Sequence, residues 1–350
     1  MLRISVILII KNGEEYIKYL DNLFNLIESH YHNKYIFEYF IYENNSIDNT
    51  KNAIKIFYQR KNRLGDYLLE DIDINKDLNG INLERGNYMS SLRNKLKSFH
   101  SFLKSDYTLL LDADVLFPYD IIDKMINTFN EYNYLIGSSN ENIKKIELPT
   151  ICKSVNPIPS NNQENDWNDR FEVKINNNIL SVKRVDSTSD WGQNLELKVK
   201  PSKYMVALTV FDICYTNSTI ENNNITNAHY YDSFAMITNK NISYKNNNNT
   251  CMFTNCNRCK NNRKDNNINI DDSLLVPDNN IFNVNSAFGG FFLLKTYVYN
   301  NINWDNTICE HHSFCDKIRN FGYILLDPTL KVITINTKNE NYREIHQKFL

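Results

Sequence analysis

The stretch Asp106-Tyr-Thr-Leu-Leu-Leu-Asp-Ala-Asp-Val-Leu-Phe-Pro118 joins an apolar run of strand length to two carboxylates one residue apart. A short continuous apolar run is what a parallel strand covered on both faces looks like. Asp112 and Asp114 cannot both lie unpaired in a core, because an uncompensated buried charge is too costly. At a strand end the chain leaves the sheet, so both can turn toward one site. There they form a hard oxygen environment suited to Mg²⁺ or Mn²⁺ holding a diphosphate. A solvated loop pair or a helix cap is the competing reading of the same residues.

Working outward, strand and helix patterns alternate. Ile4–Ile10 is a second apolar run, broken by Lys11-Asn12-Gly13. Glu14–Glu28 then carries Tyr16, Ile17, Leu20, Leu23 and Phe24 at helical spacing. Tyr35–Glu43 reads as a strand, and Asn44–Thr50 as a turn in which Asp48 or Ser46 caps a helix over Thr50–Tyr58. Met89–Leu103 and Tyr119–Phe129 read as helices. This order predicts an α/β fold with parallel strands, right-handed crossovers and a ligand site at the carboxyl ends of the strands. Further on, Phe171–Ile175 and Ile179–Val185 flank Asn176-Asn-Asn178 as a hairpin, and Tyr204–Tyr215 is a buried strand. Ala287–Leu294 is an apolar strand carrying Gly289-Gly290. Cys309–Asn320 is a helix, and Tyr323–Leu326 is a strand stopped by Asp327-Pro328.

Composition bounds the function. The chain has 350 residues, with 39 Lys+Arg against 41 Asp+Glu for a net charge of −2, so no basic face for nucleic acid is implied. The apolar run at the start is too short to span a bilayer, which with the absence of a leader pattern predicts a cytoplasmic protein without a transmembrane segment. The 58 Asn against 6 Ala point to an AT-rich coding genome, such as that of a large DNA virus (the host cytoplasm is then the location) or a protist. Seven cysteines are scattered, as in a reducing compartment. Cys251, Cys256 and Cys259 are close enough to bind a metal, and free loop thiols are the alternative.

Four stretches, in order, resemble the GT-A fold of nucleotide-sugar glycosyltransferases, family-2-like and similar also to capsule-associated mannosyltransferases. Ser5–Glu15 with Tyr42-Glu-Asn-Asn-Ser-Ile-Asp-Asn-Thr50 resembles the opening strand and nucleotide-receiving turn. Arg85 through Arg93-Asn94 resembles the helix before the acidic motif, and Leu110–Pro118 the Asp-x-Asp segment itself. Glu310-His-His-Ser-Phe-Cys-Asp-Lys-Ile-Arg-Asn-Phe-Gly-Tyr323 resembles the acidic-pair helix. The stretches cover about half the chain. The resemblance implies a mixed, mostly parallel sheet flanked by helices, with a hairpin-containing insertion. Residues 1–140 would form the nucleotide-sugar half and 141–350 the acceptor half of one domain.

The resemblance also implies roles. Asp112 and Asp114 would hold Mn²⁺ or Mg²⁺ on the diphosphate of a UDP- or GDP-sugar. Glu43 and Asn45 would face base or ribose. Arg85 and Arg93 would approach the diphosphate or sugar, and Gly289-Gly290 would let the backbone close on the sugar; a surface salt bridge and a bulge are the plain alternatives for these two features. Asp232, in His229-Tyr-Tyr-Asp232, would contact donor sugar or acceptor, unless it is part of an ordinary aromatic strand. Inverting relatives carry an acidic base where this chain has His311. Glu310 or His311 is then the general base, or His311 or His312 the third metal ligand, or all three merely begin a helix; a retaining enzyme needs no such base. His346 is expected to be unligated. The implied reaction is sugar transfer to a hydroxyl of a glycan, protein or small acceptor. A sugar nucleotidyltransferase shares the sheet and acidic site, but the turn Lys11–Glu15 is acidic and has a single Gly. An inactive carbohydrate- or nucleotide-binding protein is the other class of reading.

Overall fold

A computed structural model describes residues 1–72, 83–139, 171–176, 179–184, 195–198, 204–214, 220–221, 224–225, 235–238, 281–305, 307 and 309–334. The first part alternates β1 (Leu2–Ile10), α1 (Glu14–His30), β2 (Tyr35–Asn44), α2 (Thr50–Gln59), β3 (Leu64–Glu70), α3 (Leu83–His100), β4 (Tyr107–Asp112), β5 (Val115–Leu116) and α4 (Ile121–Ser139). β1 lies between β2 and β4, parallel to both. A central strand covered on both faces buries nearly every side chain, which is why its sequence is almost unbroken apolar. α1 buries Ile17, Leu20, Leu23, Phe24 and Ile27, the three-four spacing of one helix face. β3 extends the sheet beyond β2, also in parallel. Gly65 is required there: its φ is +108°, and a Cβ would fall 1.9 Å from the Tyr39 carbonyl oxygen.

The second part contributes β6 (Phe171–Asn176), β7 (Ile179–Arg184), β8 (Leu195–Lys198), β9 (Met205–Cys214), β10 (Ile220–Glu221), β11 (Asn224–Ile225), β12 (Ile237–Thr238), β13 (Phe282–Ser286), β14 (Phe291–Lys295), α5 (Thr296–Asn301), α6 (Glu310–Ile318) and β15 (Tyr323–Thr334). β6 and β7 form the predicted hairpin, Asn176 opposite Ile179, and β8 adds a third antiparallel strand. The main sheet has the order β12-β13-β15-β9-β14-β4-β1-β2-β3, with β5 against the end of β15. Seven of its ten strands run one way, and β5, β13 and β14 oppose them. The predicted mixed, mostly parallel sheet is therefore present. Among the described residues no helix is long and apolar enough to cross a membrane.

Three elements differ from the sequence reading. β3 was not anticipated. The run Ala287–Leu294 is not one strand: Gly289 and Gly290 both sit at φ +62°, and this left-handed pair turns the chain before β14. β15 does not stop at Pro328. Asp327 pairs with Val210 and Lys331 with Phe211, so the three residues between them bulge out of the ladder. Pro328 has no N–H to give the sheet, and Asp327 stabilises the bulge by accepting from the Thr329 N–H (2.9 Å) and hydroxyl (2.6 Å). Asp232, His346, Cys251, Cys256 and Cys259 lie outside the described residues.

Candidate functional site

β4 ends at Asp112, Ala113 and Asp114 make a turn, and Val115 starts β5. The acidic pair is thus fixed from both sides. The Asp112 N–H donates to the Gly290 carbonyl (2.8 Å), while Val115 and Leu116 pair with Thr334 and Ile333 of β15. Gly290 is packed against this turn: a Cβ there would lie 2.6 Å from Val115 and 3.5 Å from the Asp112 carboxylate. Asp112 stands beside Ile9 of β1, and Glu43 of β2 beside Ile10. Both carboxylates therefore reach the same carboxyl edge of the sheet, where ligands of parallel sheets bind.

Two clusters occupy this edge. In the first, α3 directs Arg93 toward the acidic pair. Its Nη2 lies 3.8 Å from Asp112 Oδ1 and its Nε 3.7 Å from Glu310 Oε1, at the start of α6. Both separations are too long for hydrogen bonds. The guanidinium is instead held by aromatic faces, 4.6 Å from the Trp304 ring centre and 5.2 Å from that of Phe288. His311 stacks on Phe288 at 4.0 Å and 22°, with its Nε2 3.6 Å from Glu310 Oε1.

The electrostatics follow from this packing. Burial raises the Asp112 carboxyl above its usual range, partly countered by Arg93. Burial and then the charge of Asp112 push Asp114 up to about 7. Tyr16, at the start of α1, is pushed up to about 12 by burial and by the charge of Asp114. Burial drives His311 down to about 3, against the attraction of Glu310. Burial also opposes ionisation of Glu310, but His311, Arg93 and Arg85 outweigh it and hold the carboxyl below its ordinary range. At neutral pH Glu310 is therefore an anion.

The second cluster lies at the ends of β1 and β2. Glu43 is fully buried, and its Oε1 accepts from the Ser46 N–H (2.7 Å). Its Oε2 has no hydrogen-bond partner among the described residues and lies 4.0 Å from Lys51 Nζ. Asn45, at φ +56°, donates its amide to the Ile72 carbonyl (2.7 Å) and accepts from the Ile72 N–H. Its polar groups tie down the exit of β3, so Glu43 is the member of this pair with an uncommitted oxygen. Asp48 holds two helix starts together: its carboxylate accepts from the N–H of Thr50 (3.1 Å) and of Glu14 (3.2 Å). It lies one residue ahead of the Asn49 cap position.

The donor set fits a divalent cation. Asp112 and Asp114 supply anionic oxygens, and Asp114 is penalised for its charge by burial and by its neighbour. A bound cation would remove that penalty. His311 or His312 is one reading for a third protein ligand; among the described residues no group of three or more His, Cys, Asp or Glu gathers closely enough to hold a metal. His312 lies two residues beyond Glu310, about 200° around the helix, so the turn that directs Glu310 toward Arg93 does not bring His312 with it. Gly289 and Arg85 are both at this edge. A Cβ on Gly289 would be 3.1 Å from the Val210 carbonyl oxygen, and the charge of Arg85 acts on both Asp112 and Glu310. Three residues here were missed: Trp304, Tyr16 and Asp212, the last 1% exposed and accepting from the Thr334 hydroxyl (2.7 Å). A carboxylate inside the apolar run of β9 was the available signal for Asp212. A cavity of about 730 Å³ beside α6, lined by Asn283, Asp305, Ser313 and Lys317 among others, shares no lining residue with either cluster.

No protein-family model matches the chain, and no curated protein matches it. Among solved structures it is similar to a mannosyltransferase from Pyrobaculum calidifontis in complex with GDP-Man and Mn²⁺ (17% identity, 36% of this chain and 31% of that one, TM-score 0.26). It is similar to S. aureus TarS in complex with UDP (11% identity, 99% and 64%, TM-score 0.42). It is also similar to glucosyl-3-phosphoglycerate synthase from Mycobacterium tuberculosis with Mn²⁺, UDP and glucosyl-3-phosphoglycerate (15% identity, 36% and 39%, TM-score 0.22). The chain thus spans between about a third and two thirds of the lengths of these proteins.

Proposed function

We propose that this protein is a metal-dependent glycosyltransferase that moves a sugar from a UDP- or GDP-sugar to a hydroxyl of a glycan, protein or small acceptor. One observation carries the reading: Asp112 and Asp114 leave the sheet together at its carboxyl edge, with Arg93 between Asp112 and an ionised Glu310. Asp112 and Asp114 would hold Mg²⁺ or Mn²⁺, which when bound neutralises charge on the departing nucleoside diphosphate. Arg93 and Arg85 bring further positive charge to the same place. Glu43, whose Oε2 lies 4.0 Å from Lys51, is kept as a candidate contact to base or ribose. Glu310 accepts the acceptor hydroxyl's proton as the new bond to the anomeric carbon forms and the bond to the diphosphate breaks. His311, stacked on Phe288 with its Nε2 3.6 Å from Glu310, is the alternative base. Asp232 is kept as a candidate contact to donor sugar or acceptor.

Hydrogen-bond accounting disfavours a nucleotidyltransferase. Such enzymes cradle a triphosphate on free backbone N–H groups after the first strand. Here the N–H of Asn12 donates to Ser46 (2.8 Å), that of Gly13 to Thr50 (2.7 Å) and that of Glu14 to Asp48. Three consecutive N–H groups of the turn are thus committed within the chain. The test is Asp114→Ala, assayed for Mn²⁺-dependent donor hydrolysis and transfer, with circular dichroism to confirm folding. Loss of turnover in a folded variant is expected, and unchanged turnover removes the assignment. Metal-dependent nucleotide binding by the unaltered protein, with no turnover on any acceptor, identifies a binding protein instead.

A further inference from the structure

Arg93 is held in an unusual way for a buried arginine. Its side chain is 11% exposed, yet its two carboxylate neighbours stand beyond hydrogen-bond distance and its Nε has no hydrogen-bond partner among the described residues. What holds it is the face of Trp304, the nearer ring at 4.6 Å, together with that of Phe288 at 5.2 Å, and Trp304 is itself fixed with care. Its ring lies flat on Phe314 (3.7 Å, 1°) and edge-on to His311 (5.7 Å, 80°). Its backbone exchanges two hydrogen bonds with the Asn94 side chain (2.8 and 2.9 Å), on the residue next to Arg93. The loop around it is lashed from both helices. From α3, Ser90 donates to the Asp305 carbonyl and Lys97 to that of Ile302. From α6, Lys317 donates to the Asn303 carbonyl (2.7 Å) and Ser313 to the Asp305 carboxylate (2.6 Å).

We infer that Trp304 is a positioning residue: it clamps Arg93 by its ring face, so that the guanidinium N–H groups stay uncommitted and point at the diphosphate of the donor. A carboxylate partner would fix the arginine equally well but would occupy those donors. A ring fixes the cation and leaves the N–H groups in the guanidinium plane open, which suits a group that must meet an anionic ligand without first breaking an ion pair. The inference rests on the reading of the site as one for a nucleoside diphosphate.

The experiment is titration calorimetry of UDP and GDP, each with Mn²⁺, into the unaltered protein and into Trp304→Leu, Trp304→Phe, Arg93→Ala and the double variant Arg93→Ala/Trp304→Leu. Trp304→Leu should weaken binding about ten- to thirtyfold, the measure of a desolvated cation–π contact, and Trp304→Phe, which keeps a ring, should recover most of it. In the Arg93→Ala background, Trp304→Leu should add no further loss, because the clamp then holds nothing. An equal loss in both backgrounds, or no loss from Trp304→Leu alone, overturns the inference while leaving the site reading intact. Failure of the unaltered protein to bind either nucleotide overturns the site reading and the inference with it.

Discussion

Two buried arginines, Arg63 and Arg93, sit in opposite kinds of surroundings. Arg63 follows α2 and is 2% exposed. It bonds Asp21 (2.5 Å), Glu28 (3.0 Å), Asn25 (2.8 Å) and the Phe57 carbonyl (2.9 Å), and lies 4.0 Å over the Phe57 ring. Asp21 is completed by Arg60 at 2.6 Å. Both charges are paired and hydrogen-bonded, the condition under which a buried ion pair is tolerated. Arg93 touches rings and only approaches its carboxylates. Of these, Asp112 is raised above its usual range by burial, while Glu310 is held below its own. A satisfied network holds a fold together, whereas an incompletely satisfied one at a ligand edge is prepared for something that arrives later.

The contrast can be broken by substitution. Removing Arg63 leaves Asp21 buried beside fewer cations, so Arg63→Ala should lower stability by about 3–5 kcal/mol in urea unfolding. A small loss would mean that the two arginines do not differ in kind. Arg93→Ala should do the reverse: stability within about 1 kcal/mol of the unaltered protein, but transfer slowed by about a hundredfold or more, as when a preorganised group on a charged transition state is lost. A stability loss matching that of Arg63→Ala would place Arg93 in the scaffold.

A smaller effect sharpens the same contrast through pH. The Asp114 pKa rises on folding, so the unfolded chain ionises first. Metal-free stability should fall as pH climbs from about 4 to about 7 and then level off. Asp114→Asn should therefore be more stable than the unaltered protein at pH 8 in EDTA, by about 1–2 kcal/mol, because the partly exposed carboxyl feels less than its full shift. At pH 4 the gap should close; equal stability at both pH values would remove the claim of penalty. The smallest change belongs to Asp48, whose carboxyl burial raises, but which the Thr50 hydroxyl and the N–H groups of Glu14 and Thr50 hold below its ordinary range. Asp48→Ala should cost about 1 kcal/mol of thermal stability, the usual scale for such contacts at helix starts. A tenfold loss of nucleotide affinity would show that Asp48 is more than scaffold.

The central strands were legible because burial on both faces writes an apolar run that no helix of that length shares. β3 was not legible. It is a sheet edge whose Leu64, Gly65 and Asp66 are exposed, and Gly65 is present for its backbone conformation, which reads as a loop. The acidic pair was legible because carboxylates right after an apolar run must leave the core. Glu310 was legible by motif, but its approach to Arg93 was not, since it depends on how α3 packs against α6. Trp304 gave no signal at all: it sits in an aperiodic loop, and its partner Asn94 is 210 positions earlier in the chain. Pro328 misled because a proline ends a strand only where its neighbours cannot bulge around it.

The pairing of β14 with β4 bears on how the protein is made. Phe291–Lys295 lines the free side of Tyr107–Leu111, so a growing chain presents that apolar edge, without this partner, until nearly three hundred residues have emerged. An open strand edge of this kind invites pairing with other chains. Expressing the first 139 residues alone should therefore yield aggregate.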